Sequence, residues 1–181
     1  MRTLWAEAPG PTSLRLEPQT AAHALQMFPV LSDPAIYRFE NQPPASVAWL
    51  LQRFTQLESR GPADGAAQWL NWVVRIEDTE AAAGKLAGYV QATVFVGGDA
   101  LVAYEFNSAW WGRGIAFAAV SAMLSELGAA YGVLQAFAVL KSANVRSAQL
   151  LQRLGFGPAD PQHPISAGID TDEVCRSRLL R

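Results

Sequence analysis

The chain has 181 residues, half of them hydrophobic and 17% charged, with a formal net charge of −2. That length fits one domain, here residues 1–181, with a substantial core, and the composition excludes long disordered stretches. The scattered basic residues exclude a nucleic-acid footprint and an anionic-membrane patch. With Cys175 alone no internal disulfide forms, and His23 and His163 make no cluster at metal-ligand spacing, so no metal is expected.

Met1 to Pro11 is broken by Glu7, Pro9, Gly10 and Pro11 before an apolar run develops, and so does not read as a signal peptide. No run approaches the about 20 apolar residues that cross a bilayer; the expected location is cytoplasmic. Thr12 to Pro18 sets Leu14 and Leu16 against Ser13, Arg15 and Glu17, the period of a half-buried strand. A short helix follows over Ala21 to Val30, and Ser32-Asp33-Pro34 reads as a turn. Ala45 to Arg60 is a clearer helix, with Val47, Leu50, Leu51, Phe54 and Leu57 at helical spacing.

From Gln68 to Asp78 the period changes to two, with Leu70, Trp72, Val74 and Ile76 on one face and Trp69, Asn71, Val73 and Arg75 on the other. Gly84 to Val96 is a second strand, and Gly97-Gly98-Asp99 turns into a third that runs to Asn107. Gly114 to Ala130 reads as a helix and Leu134 to Leu140 as a buried strand. Asn144 to Leu154 is a helix with Asn144 as N-cap, Gly155 as its left-handed C-terminal residue and Phe156 folding back on the last turn. Gly157 to Gly168 reads as loop and Asp172 to Leu180 as a final strand at the sheet edge. The order predicts an α+β (mixed α/β) fold, a largely antiparallel central sheet with helices on both faces.

The sharpest chemical signal is Trp110-Trp111-Gly112-Arg113-Gly114-Ile115-Ala116, at the passage from strand to helix. Two glycines one residue apart permit a tight turn and close approach of a ligand. The N–H groups of the helix's first turn, with the helix dipole, favour an anion such as a pyrophosphate there. A Gly-rich turn without a ligand is the other reading. No Gly-Lys-Ser/Thr follows, so it is not a Walker loop, and the third glycine of a dinucleotide fingerprint is missing.

Tyr104 to Ala116 resembles the acetyl-CoA-binding segment of the GNAT superfamily of N-acetyltransferases, and its Trp-Gly-Arg-Gly core resembles the branch of ribosomal-protein-alanine acetyltransferases. Asn144-Val145-Arg146-Ser147, then Leu150-Leu151-Gln152-Arg153-Leu154-Gly155-Phe156, is similar to that branch's Asn-x-x-Ser, helix and Leu-Gly-Phe. Leu14-Arg15-Leu16-Glu17-Pro18 is similar to its first strand. The chain departs from the branch in Phe117-Ala118-Ala119, where Thr-Glu-Ala is frequent.

The resemblance implies a splayed strand pair and an acetyl transfer from acetyl-CoA, by direct attack of an amine on the thioester. It implies that Gly112, Arg113, Gly114, Ile115 and Ala116 cradle the pyrophosphate. Phe106, Asn107 and Asn144 lie along the pantetheine arm, and Ser147 sits near the sulfur and donates a proton to the thiolate. Asn144 as a plain cap and Ser147 as an exposed helix residue stay open beside these roles. Glu105, on the strand face opposite Tyr104 and Phe106, is the candidate base, with Asp78, Glu77 and Glu40 as further carboxylates. Cys175 is not expected as a nucleophile, and His23 and His163 are expected at the surface. Trp49, Trp69, Trp72, Trp110 and Trp111 are expected in the core or in site walls. The acceptor is an amine-bearing small molecule or a peptide N-terminus, with no nucleic acid or membrane partner, and a homodimer is possible. A non-catalytic acyl-CoA-binding or sensor module on the same fold, or an interaction domain built on apolar surface, are the rival readings.

Overall fold

A computed structural model describes residues 1–10, 12–39, 41–77 and 84–180. Glu40 and Asp78, two of the further carboxylates, lie outside them. The strands are β1 (Leu4–Ala8), β2 (Thr12–Pro18), β3 (Ala67–Ile76), β4 (Leu86–Phe95), β5 (Asp99–Phe106), β6 (Gln135–Lys141), β7 (Gly157–Pro158) and β8 (Glu173–Leu179). The helices are α1 (Ala24–Leu31), α2 (Val47–Leu57), α3 (Ile115–Tyr131), α4 (Val145–Arg153) and α5 (Pro164–Ala167). One sheet runs in the order β1-β2-β3-β4-β5-β6-β8-β7, antiparallel throughout except between β5 and β6.

Alternation along the strands sends apolar side chains to both faces. Leu70, Trp72, Val74 and Ile76 of β3 join Val90, Ala92, Val102 and the buried side of α3 in the larger core. Val73 and Leu86 face the other way, onto Ala24, Met27 and Leu31 of α1 and Leu50 and Phe54 of α2. Leu70, Trp72, Val74 and Ile76 thus share one face of β3 as expected, with Val73 on the other.

Three expectations change. The N-terminal segment is a strand, β1, because pairing with β2 over Leu4–Ala8 satisfies its backbone. The last strand is not at the edge: β8 lies between β6 and the two-residue β7. The supposed loop before it contains α5, started by Pro164 at a position where a missing N–H costs nothing.

Candidate active site

β5 pairs with β6 only where Asp99, Ala100 and Leu101 meet Gln135, Ala136 and Phe137. Beyond that point β5 stays with β4 as far as Phe106, and β6 stays with β8 as far as Lys141. Each strand follows its own partner, so the two part like a V. The gap is a cleft of about 500 Å³ that opens to both faces of the sheet. Val102, Tyr104, Leu140 and Ser147 line it on the α3–α4 side, and Ile36, Phe39, Tyr89 and Glu105 on the α1–α2 side. A β-bulge sits at Ala87 on β4, where the register with β3 shifts between Val74 and Arg75. The Asn107 N–H bonds Ala87 O on β4. Strand alternation therefore turns the N–H groups of Tyr104 and Phe106 toward the gap. The Phe106 side chain is buried in the core, so what it offers the cleft is backbone.

At the end of β5 the Asn107 side chain caps a 3₁₀ turn, Ser108–Trp110, through Ala109 N–H, while its amide donates to Val30 O at 3.1 Å. Both ends of that side chain are thus engaged within the protein, and it ties the turn to α1. The Trp111 indole N–H then donates to Phe106 O at 2.8 Å, fixing the loop to the strand. Gly112 and Gly114 both have φ +76°, a left-handed conformation that favours glycine. Gly114 is the N-cap of α3, so the first N–H groups of that helix, through Ile115 and Ala116, have no intrahelical acceptor and project with the positive end of the dipole. A Cβ at Gly112 would meet nothing within 4 Å, whereas one at Gly114 would strike the Pro9 ring in the β1–β2 turn. Gly114 thus also serves packing against that turn.

Three arginines stand around this loop, each over an aromatic ring: Arg113 on Trp110 at 5.2 Å, Arg146 on Trp111 at 3.7 Å and Arg153 on Phe117 at 5.0 Å. Among the described residues none of them forms a salt bridge. Arg146 and Arg153 were not singled out from the sequence. Their seven-residue spacing, which puts both on one helical face, was the signal available.

On α4, Asn144 Oδ1 accepts from Ser147 N–H at 3.2 Å, the N-cap bond. Gly155 at φ +82° ends the helix. Phe156 N–H returns to Leu151 O and Gly155 N–H to Gln152 O, a Schellman closure. Ser147 Oγ and Tyr104 Oη lie 2.7 Å apart, a hydrogen bond across the mouth of the V. Burial pushes the Tyr104 phenol up to about 12.

Glu105 points to the opposite face. It stands across from Tyr89 on β4, and Tyr37 Oη reaches its Oε2 at 3.4 Å. Burial, with the Glu105 charge beside them, holds both phenols well above the ordinary tyrosine range. The chain leading to Tyr37 is fastened by Asp33, whose Oδ2 accepts from Ser108 N–H at 2.7 Å. Glu77 is engaged away from the cleft, accepting from Arg15 at 2.7 Å.

Neither histidine is a free surface group. His23 contacts Glu17 at 3.1 Å, and His163 stacks on Phe137 and contacts Asp99 at 3.1 Å. Of the five tryptophans expected inside or at the site, Trp72 is fully buried, Trp110 and Trp111 wall the cleft and Trp69 is half-buried on β3, but Trp49 is 50% exposed on α2. Its position falls off the apolar stripe of that helix. Cys175 is half-buried on β8.

The family model for an acetyltransferase (GNAT) domain matches residues 13–157. No curated protein matches the chain. Among solved structures, Mycobacterium smegmatis RimJ in complex with CoA-disulfide superposes with a TM-score of 0.79 at 18% identity, covering 98% of this chain and 87% of that one. The ribosomal-protein-S5-alanine acetyltransferase from Vibrio fischeri gives 0.72 at 21% identity, covering 97% and 96%. The microcin C7 self-immunity acetyltransferase MccE, in complex with acetyl-CoA and AMP, gives 0.72 at 16%, covering 92% of each. These likenesses extend over the same mixed sheet and its helices. With the family model matching most of its length, the chain belongs to the GNAT acetyltransferase family.

Proposed function

We propose that the protein transfers an acetyl group from acetyl-CoA to an amine, carried by a small molecule or a peptide N-terminus. The observation behind this is the cleft through the sheet, with Glu105 on one face and the Tyr104–Ser147 pair on the other. Successive residues of one strand point to opposite faces, so a base and a leaving-group contact flank the same gap without competing for space. The left-handed glycine loop, the open helix N-terminus and the cations of Arg113, Arg146 and Arg153 suit the phosphates of coenzyme A. The complexes of RimJ with CoA-disulfide and of MccE with acetyl-CoA support the same cosubstrate.

Acetyl-CoA supplies the acyl group already activated as a thioester. Glu105 takes a proton from the acceptor ammonium, directly or through a water, and the neutral amine then attacks. The Tyr104 and Phe106 N–H groups, turned to the gap, stabilise the oxygen that gains charge. Ser147 faces the departing sulfur. Thiol release from acetyl-CoA, measured over a panel of amines and N-terminal peptides, tests this. Turnover with one class names the acceptor. Saturable coenzyme A binding with no turnover on any amine would replace the enzyme with an acyl-CoA-binding module.

A further inference from the structure

We infer that Tyr104 is a positioning residue for the departing thiolate: it fixes the Ser147 hydroxyl so that the pair presents one O–H to the sulfur. The inference rests on the acetyl-transfer reading above and adds a residue and a role to it. Ser147 sits in the first turn of α4, behind the Asn144 cap, where its backbone is fixed but its hydroxyl rotor is free. The 2.7 Å bond to Tyr104 removes that freedom. Tyr104 itself cannot swing away, because its ring packs against the large core beside Val102 and Phe106. Whichever oxygen donates between the two, one O–H remains, and the cleft is the space they share.

Relative acidities decide what that O–H does. Tyr104 is pushed up to about 12 by burial, and a serine hydroxyl is less acidic still. A thiol has a reference pKa of about 8.5. Net proton transfer from either hydroxyl to the sulfur is therefore uphill. Glu105 first takes one proton from the ammonium; the neutral amine nitrogen then bonds the acetyl carbon, the carbon–sulfur bond breaks with its electron pair going to sulfur, and the second nitrogen proton leaves to solvent. The pair contributes a hydrogen bond to the sulfur as its charge grows. The thiolate takes its own proton later, from solvent.

A contact of that kind lowers the pKa of the thiol in bound coenzyme A, since hydrogen bonding to the charged form favours it. Ultraviolet thiolate absorbance of bound coenzyme A, titrated against pH, reads this without any acceptor. The wild-type complex should titrate about one unit below free coenzyme A. Tyr104→Phe, which keeps the ring, should lose at least half of that shift with coenzyme A affinity unchanged. Ser147→Ala should lose all of it, and the double variant no more than Ser147→Ala alone, because the two act as one unit. Once an acceptor is found, Tyr104→Phe should lower kcat about tenfold with little change in acetyl-CoA KM.

An unshifted thiol in the wild-type complex overturns the inference, as does a Tyr104→Phe protein that keeps the full shift while Ser147→Ala loses it. Failure of the wild type to bind coenzyme A at all would instead remove the acetyl-transfer reading.

Discussion

On the α3–α4 side of the cleft backbone groups stand beside the Tyr104–Ser147 pair: the open N–H groups at the start of α3 and, at the edge of the gap, those of Tyr104 and Phe106 on β5. On the α1–α2 side they are side chains, Glu105, Tyr89 and Tyr37, and the segment that brings Tyr37 is fastened by the Asp33–Ser108 and Asn107–Val30 bonds. Backbone donors recognise any phosphate or carbonyl and tolerate much change in sequence. Side chains on a tethered segment can be altered one at a time. A cosubstrate common to a family suits the first construction and a variable acceptor the second.

Glu105→Gln tests the α1–α2 side most severely. It keeps size and hydrogen bonding while removing the base, so kcat/KM should fall about 10²–10⁴-fold at neutral pH. Part of the loss should return at high pH, where the amine is already neutral. Full activity across the pH range would make Glu105 structural, leaving Tyr37 and Tyr89 around an inert carboxylate.

Removing Arg113 and Arg153 together probes the other side. Bonds from charged donors contribute about 1.5–3 kcal/mol each, so the double alanine variant should bind coenzyme A at least about tenfold more weakly, and the deficit should shrink as salt screens the wild type. Isothermal calorimetry at two ionic strengths decides it. Gly114→Val is a poorer probe, because the added carbons would strike Pro9 and confuse folding with binding.

Acid should separate the two sides as well. Glu17, bonded to Arg75 and His23 beneath the start of α1, is held down to about 2. Asp33 is held below the ordinary range by Ser108. A depressed carboxylate adds stability that is complete above its unfolded pKa and is lost as pH falls through the folded one. For Glu17 that window runs from 4.5 to about 2, and the part-exposed network limits the loss to about 1–2 kcal/mol. The Lys141 cluster with Asp172 and Glu173 faces solvent and should contribute little. Hydrogen exchange near pH 3 should therefore open α1 and the segment through Tyr37 before α3, whose core is apolar. Simultaneous opening would erase the contrast.

The same division governs what was legible in the sequence. The glycine loop, the Asn144 cap and the Gly155 closure are local, each set by the residue that occupies it, and all three were readable. The meeting of Tyr37 with Glu105 joins residues 68 apart, and that of Tyr104 with Ser147 joins residues 43 apart, with no periodicity announcing either. β1 escaped for a related reason: Pro9 and Gly10 read as a break, and only pairing with β2 makes the residues before them a strand. The strand face of Glu105 was legible, but the phenols around it were not, since one comes from β4 and the other from a turn.

The smallest expected effect concerns Asn144, which stands where the local and the functional overlap. Its Oδ1 is occupied by the Ser147 N–H, while its Nδ2 has no partner among the described residues. Losing the cap should cost about 1 kcal/mol, and alanine removes cap and amide together. Serine separates them, because it caps about as well as asparagine but carries no amide and a shorter arm. Asn144→Ala should thus lower Tm and weaken coenzyme A binding, whereas Asn144→Ser should restore Tm and leave binding weak. The cap also orients the first turn that carries Ser147, so Asn144→Ala should reduce the downward shift of the bound thiol's pKa, and Asn144→Ser should return it. If Asn144→Ser recovers affinity along with Tm, the residue acts on the cofactor side through helix geometry alone, and the contribution of that side is backbone here too.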